Sequence, residues 1–269
     1  MFRICIASAV LVLASPAFAQ GLRIEATVSR LQPGSVDGPE LLSTSVTLLS
    51  GGKAYDFVES ADEVIIFQPT GHEYSILNMA RELSTKVTNE EIVHLLAAGR
   101  SESMKYIQEL QQRANGNSNR VARSLAFQLA PVFDTQFNPE SGLLTLKSDS
   151  WKYAVQTHEW QDAAQVEAYL AYADGISQLN FVLHPSSRFP KPRLELNRQL
   201  RDHKRLPTSI RLDLRPDEPL VLKADYKYVL ELNEADRRLI RRWESVASDG
   251  SMRELPFRRY QETVLSSPQ

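Results

Sequence analysis

The chain has 269 residues, with 31 Lys and Arg against 33 Asp and Glu, one Cys, 42% hydrophobic residues and 24% charged ones. That length can bury a full core, whereas the near-neutral balance excludes a general nucleic-acid binder and the ordinary composition excludes wholesale disorder or a collagen-like repeat.

Arg3, the apolar run from Ile4 to Ala14, Pro16 and the small-residue pattern Ala17-Phe18-Ala19 before Gln20 predict a secretory signal peptide over residues 1–19. The run is about 11 residues, short of the ~20 that a membrane-spanning helix needs. Cleavage there removes Cys5 and Arg3, leaving 30 basic and 33 acidic residues and no thiol. Disulfides, thiolate nucleophiles and cysteine metal sites are then excluded. Gln20 in place of a cysteine also excludes a lipid-anchored N-terminus. The expected product is exported to the periplasm or the extracellular space, with no stable membrane span, since no later run of 18 apolar residues occurs.

From Leu22 to Val87 apolar residues recur at every second position in short runs, a strand pattern. Leu22, Ile24, Ala26 and Val28 alternate with polar neighbours; Leu42 to Ser50 meets Lys53 to Glu59 across Gly51-Gly52, a pair suited to the positive φ angles of a tight hairpin. Glu63 to Gln68 and Glu73 to Asn78 flank the turn Pro69-Thr70-Gly71-His72, and Leu83 to Val87 adds a further strand. Five or six consecutive strands with short links predict an antiparallel meander.

The period changes at Thr88, where Thr88 and Glu91 fit a capping box ahead of the apolar face Ile92, Val93, Leu95 and Leu96. Gly99 is expected to end or interrupt this helix, with a second amphipathic stretch from Ser101 to Arg113. Asn115-Gly116-Asn117-Ser118-Asn119 is the best internal linker, within a single α+β domain spanning residues 20–269. Val121 to Phe133 reads equally as helix or strand. Strands follow at Thr135 to Asn138, Leu143 to Lys147 and Trp151 to Thr157. Asp162 to Leu183 is the clearest helix, with Asp162 and Gln165 placed to cap it and a stripe formed by Val166, Tyr169, Leu170, Ala173, Ile176 and Leu179. Pro192 opens another helix through Lys204, ended by Pro207. Ser209 to Leu214 and Leu220 to Leu232 alternate as strands, and Asn233 caps a last helix through about Ala247, its buried side being Leu239, Ile240, Trp243 and Val246. The fold class expected is α+β, a curved antiparallel sheet forming an incomplete barrel packed by several helices.

The stretch Gly52-Lys53-Ala54-Tyr55-Asp56-Phe57, the strands Glu63 to Phe67 and Tyr74 to Leu77, and Leu179-Asn180-Phe181 through Pro192-Arg193-Leu194-Glu195-Leu196-Asn197 resemble an uncharacterised group of exported bacterial proteins, which implies no known activity. In architecture the chain is similar to the LolA and LppX type of periplasmic lipoprotein and lipid carriers. That resemblance implies a curved, incomplete barrel holding acyl chains beneath helices, and a lipid or lipoprotein as partner.

Motifs for catalysis are sparse. Ser50-Gly51-Gly52-Lys53 has the Ser-x-x-Lys spacing of penicillin-recognising enzymes, but its two glycines and flanking strands favour a hairpin, and the upstream glycine of a P-loop is missing. His72, His94, His158, His184 and His203 show no metal-ligand spacing. Glu91 and His94 have a Glu-x-x-His spacing without the second pair that a di-iron site needs. His158 and Glu159 point to opposite faces of a strand. No catalytic residue, metal site or cofactor motif is assigned.

Two groups of residues are candidate binding elements. Tyr55 with Phe57, and Trp151 with Tyr153, are two apart and share a strand face, as do Tyr226 and Tyr228; the first four could line one wall of a ligand groove, against the commoner use of such rings as core filling. Arg237, Arg238, Arg241 and Arg242 belong to a segment, 237–259, with seven arginines and three acids, whereas residues 53–91 carry eight acids and three bases. These arginines could face an anionic partner or form the wet side of a helix. The leading expectation is a secreted, non-catalytic protein binding an apolar or amphipathic envelope ligand. The alternatives are a hydrolase of envelope polymer or polysaccharide, built from carboxylates that sequence cannot pair, and an interaction module using the arginine face.

Overall fold

Period-two alternation becomes six consecutive strands. A computed structural model describes residues 21–31, 38–113, 116–184, 187–214 and 220–266, so the expected signal peptide, the loop at 32–37 and Asn115 lie outside the described residues. The strands are β1 (Leu22–Leu31), β2 (Glu40–Ser50), β3 (Lys53–Val58), β4 (Glu63–Gln68), β5 (Glu73–Asn78) and β6 (Leu83–Thr88), each antiparallel to the next. Gly51 and Gly52 turn β2 into β3 with φ of 57° and 77°, which L side chains tolerate poorly. The next three hairpins use four-residue loops, each closing on a left-handed residue: Asp62, His72 and Glu82.

Thr88 caps α1 (Asn89–Gln112) through the expected box: its hydroxyl accepts from the Glu91 backbone N–H while the Glu91 carboxylate accepts from the Thr88 backbone N–H. Gly99 does not interrupt α1, which is a single 24-residue helix. The glycine is instead where Phe181 packs closely against it. Residues 116–119 are the first turn of α2 (Gly116–Leu129), so the expected linker is the corner of a helical hairpin, and the ambiguous stretch after it is helix.

The remaining strands are β7 (Asp134–Asn138), β8 (Leu143–Lys147), β9 (Trp151–Glu159), β10 (Arg205–Leu214), β11 (Leu220–Val229) and β12 (Arg253–Glu254); the remaining helices are α3 (Ala163–Leu183), α4 (Lys191–Asp202), α5 (Glu234–Ser248) and α6 (Phe257–Leu265). Pro207 does not merely follow α4. It lies inside β10, at the register shift between Pro207 and Ser209, and bulges are among the few places where a sheet accommodates proline. α6 was not expected; it carries two of the arginines of the basic segment, Arg258 and Arg259, on its exposed side, and buries Phe257 and Tyr260.

Among the described residues all twelve strands form one sheet in the order β12-β6-β5-β4-β3-β2-β1-β11-β10-β9-β8-β7. Every neighbouring pair is antiparallel except β12 with β6. The sheet curves without closing into a barrel, and the bulges at Val28/Ser29 and Pro207/Ser209 sharpen its twist. Each face carries its own core. The concave face buries Leu22, Ile24, Ile65, Ile76 and Val155 against α3, α4 and α6; the convex face buries Leu48, Tyr55, Val64 and Leu77 under α5. No described helix is long and apolar enough to cross a membrane.

Candidate functional site

Register decides which side chains share a wall. Ile24 pairs with Tyr228 on one side and Thr47 on the other, and the same row continues through Asp56, Ile65, Ile76 and Thr85. Two residues along, Tyr226, Ala26, Ser45, Val58, Glu63 and Asn78 form a second row. Both face α3, because side chains alternate strictly across a strand. Beyond Ile24 the side chains that β1 and β2 present in these rows are short, Ala26, Ser45 and Thr47, and Ser43 continues them in the next row. The floor beneath α3 is therefore low, and a cavity of about 750 Å³ lies between it and Tyr169, Tyr172, Ala173 and Ile176 of the helix. It reaches from buried Ile24, Thr47 and Ile65 to exposed Ser60, Ala80 and Asn180.

α3 is held over this floor by identifiable contacts. The Asp162 carboxylate accepts from the backbone N–H of Ala164 and of Gln165. Gln165, expected to share the capping, instead accepts from the Trp160 indole at 2.8 Å. At the other end Gln261 of α6 donates to the carbonyls of Val182 and Leu183, two of the acceptors that a helix C-terminus leaves open. Arg81 donates in turn to the carbonyls of Thr263 and Val264 at the end of α6. Gly175 lets Tyr74 approach the α3 backbone: a Cβ there would lie 2.1 Å from the Tyr74 hydroxyl.

One end of the cavity carries two buried carboxyls, beside Arg81, whose guanidinium is held by the α6 carbonyls. Asp56 and Glu63, 5% and 7% exposed, project from adjacent strands on the concave face. Thr47 donates to Asp56 at 2.7 Å and the Tyr172 hydroxyl is hydrogen-bonded to the same carboxyl; Tyr260 donates to Glu63 at 2.7 Å. Burial raises the pKa of both carboxyls above the ordinary range, more than these hydroxyl donors lower it, and the Asp56 charge raises Glu63 further.

The other end is basic. Arg193, in the first turn of α4, lies beside the hydroxyls of Tyr153, Tyr169 and Tyr226 and lines the same cavity. Its Nε donates to Asn197 Oδ1 at 3.0 Å, and the fully buried Asn197 amide donates to Asp174 Oδ1 at 2.8 Å. The second Asp174 oxygen takes Arg201 at 2.9 Å, and Arg201 also reaches Glu167. Arg193 itself makes no ion pair among the described residues. From Tyr226 on β11 to Val58 on β3 and Glu63 on β4 is three to four strand spacings, roughly 14–19 Å along the sheet.

The sequence-designated aromatics do not share a wall. Tyr55 pairs with Leu48, which pairs with Arg23, on the face opposite Ile24. Under α5, Tyr55 stacks on Trp243 and Phe57 meets it in a tilted contact, with ring centroids 6.5 and 6.0 Å away, and the Tyr55 hydroxyl donates to Glu244 at 2.6 Å. They form part of a packed core rather than the edge of a groove. Trp151 and Tyr153 are on the concave face, buried with Phe127 and Phe133. Tyr153 approaches Arg193; Trp151 borders a separate cavity of about 700 Å³ under α2 that also has Arg120, Arg123 and Arg188 on its wall. Tyr226, not singled out from Tyr228 by sequence, lines the first cavity, whereas the Tyr228 hydroxyl donates to the Pro207 carbonyl.

Arg237, Arg238, Arg241 and Arg242 all lie exposed on α5, the wet side of the helix, and Arg241 pairs with Glu234 at 2.8 Å. Trp243, Ile240, Leu239 and Val246 occupy the packed side as their spacing predicts. Ser50 and Lys53 face each other across the hairpin, and Lys53 pairs with Glu244. His94 is an exposed neighbour of Glu90, and no group of three potential metal ligands occurs among the described residues.

What sequence reading missed are the charged groups of the cavity. Asp56 stands between Ala54 and Val58 in the inward phase of β3, a carboxyl where the alternation demands an apolar residue, and that was a usable signal. Arg193 and Asn197 sit in the Pro192-Arg193-Leu194-Glu195-Leu196-Asn197 stretch without any periodicity that sets them apart. No protein-family model matches the chain, and no curated protein matches it.

Proposed function

We propose that this is a non-catalytic binding protein that holds one amphipathic molecule in the cavity between the concave sheet and α3. The observation that carries the reading is the low floor: Ala26, Ser43, Ser45 and Thr47 stand where larger aliphatic or aromatic side chains would fill the space, and about 750 Å³ is left between the sheet and α3. That volume falls in the range of small-molecule sites, roughly 300–1,000 Å³. The walls combine Ile24, Val28, Ile65 and Ile176 with a few convergent polar groups, the mixture that buries a chain and orients a head. The export expected from the N-terminal pattern would bring such a protein among envelope lipids, and the LolA and LppX resemblance stated from sequence implies the same use.

The hydrolase reading has one observation in its favour, two carboxyls in one cavity. Glycosidase chemistry needs their pKa values driven apart, one group protonated as acid and the other ionised as base or nucleophile. Burial drives Asp56 and Glu63 in the same direction, and each already engages a tyrosine hydroxyl. This favours a structural polar pair.

The direct test is native mass spectrometry of protein taken from its own envelope, before and after organic extraction, together with titration of fluorescent acyl probes. A mass lost on extraction and saturable displacement of one probe per chain are expected. Identical masses together with no saturable binding would overturn the proposal.

A further inference from the structure

We infer that the cavity contains an anion subsite, built on Arg193, that receives the carboxylate or phosphate head of a single-chain amphiphile. The inference rests on the binding role proposed above and specifies the ligand's charge and orientation. A guanidinium carries five N–H donors and cannot shed its proton. On Arg193 the Nε donor goes to Asn197 and the Tyr226 hydroxyl hydrogen-bonds the guanidinium; no other protein acceptor for it occurs among the described residues. The nearest carboxylate in the network, Asp174, is reached only through Asn197, and its other oxygen is already paired with Arg201. A guanidinium at a cavity wall without a counter-ion bears much of its desolvation cost uncompensated. A bound oxyanion would complete it, and the planar fork suits a carboxylate or phosphate bidentately.

Three surroundings point the same way. Tyr153, Tyr169 and Tyr226 border the guanidinium with hydroxyls that can donate to the same anion, and burial raises the pKa of Tyr153 and Tyr169 above the ordinary phenol value. The first turn of α4 has no side-chain cap, so its positive end adds to the local field without an anion of its own. The acidic groups stand at the far end, three to four strands away, where Thr47, Tyr172 and Tyr260 already bond them. The head therefore docks against Arg193 and the apolar chain runs over Ala26 and Ser45 towards Val58 and Ile65.

The test compares ligands of one chain length and different heads: oleate, oleoyl lysophosphatidate, oleyl alcohol and oleylamine, each displacing a fluorescent acyl probe from the wild-type protein and from Arg193→Gln and Arg193→Lys. The wild type is expected to bind at least one of the two anions about tenfold or more better than the alcohol, the size of a charge-assisted hydrogen bond, and to bind the amine worst. Arg193→Gln should abolish that preference while leaving the alcohol's affinity unchanged; whichever anion keeps the larger preference over the alcohol identifies the head. Equal affinity of the wild type for anions and alcohol, or a preference that survives Arg193→Gln, would overturn the subsite while leaving cavity binding intact. Absence of binding by all four would instead overturn the binding role and the subsite with it. If Arg193→Gln does not fold, the wild-type comparison and Arg193→Lys still decide.

Discussion

The two faces of this sheet are made by the same strands and were put to different uses. Along β2, Val46 and Leu48 point to the convex side and meet Tyr55, Val64, Ile66 and Trp243 in a dry core; Ser43, Ser45 and Thr47 point to the concave side and leave a cavity. Polar residues follow the same division. Among the described residues the buried carboxyls on the convex side are each paired with an arginine: Asp236, which caps α5, with Arg23, and Asp213 with Arg211. The concave face buries Asp56 and Glu63 and holds, half-buried, the Arg193 guanidinium, which has no ion pair among the described residues. The concave side also carries the larger buried cluster, so the cavity is a local gap beneath α3 in a face that is otherwise well filled around it.

The largest effect should come from breaking the convex core. Trp243 is 4% exposed and contacts both Tyr55 and Phe57, so Trp243→Ala should destabilise the protein by roughly 3–5 kcal/mol. Urea unfolding measures this, and acyl-probe binding at low denaturant should persist, since no atom of the cavity is removed. An unchanged midpoint would mean that α5 contributes little, and the division of labour between the faces would fail.

The complementary change fills the concave side. Ser45→Leu projects an isobutyl group into the cavity from its floor, so the affinity for acyl probes should fall by roughly tenfold or more, equivalent to about 1.4 kcal/mol. Stability should hold or rise, because the new side chain enters space that no core atom occupies. A mutant that binds as well as the wild type would place the ligand elsewhere.

The carboxyls give a pH signature of the concave face alone. Asp56 and Glu63 have folded-state pKa values raised above those of the unfolded chain. As pH rises from about 4 the unfolded chain loses these protons first. The native state then holds more protons, so their contribution to stability declines through the raised pKa values and stays low above them. Unfolding midpoints measured from pH 4 to 8 should therefore fall less with pH in an Asp56→Asn, Glu63→Gln double variant than in the wild type. Parallel curves would show that these groups titrate as exposed carboxyls do.

Much of this was legible in sequence, and the remainder was lost for definite reasons. Alternation located the strands from Leu22 to Val87, and local capping chemistry located the starts of α1, α3 and α5, because both depend on near neighbours. Parity also showed that Tyr55 and Phe57 share a face, as do Trp151 and Tyr153. It could not show that the two faces are opposite ones: that depends on a chain of registers from β3 through β2, β1, β11 and β10 to β9, which joins residues about a hundred apart in sequence. Gly99 and Pro207 read as breaks because their local cost is real; tertiary packing against Phe181 and a bulge in β10 absorbed it. α6 is nine residues long between a proline and the C-terminal segment, too short for its spacing to stand out from a basic run. The cavity was invisible because its floor is defined by what Ala26, Ser43 and Ser45 lack.

The smallest effect should be on the exposed side of α5, where the arginines that dominate the local charge are located. Arg241 and Glu234 form an ion pair with both side chains about 60% exposed, so water and salt screen it and two long side chains must be ordered to hold it. Arg241→Ala should shift stability by no more than about 0.5 kcal/mol. Raising ionic strength should shrink even that difference. The same substitution should leave the affinity for acyl probes untouched, because α5 is separated from the cavity by the thickness of the sheet. Urea midpoints at low and high salt and one probe titration measure all three. A large loss of stability would mean that the arginine side of α5 packs against something in solution, and the interaction-module alternative would then gain the support that its exposed position does not by itself supply.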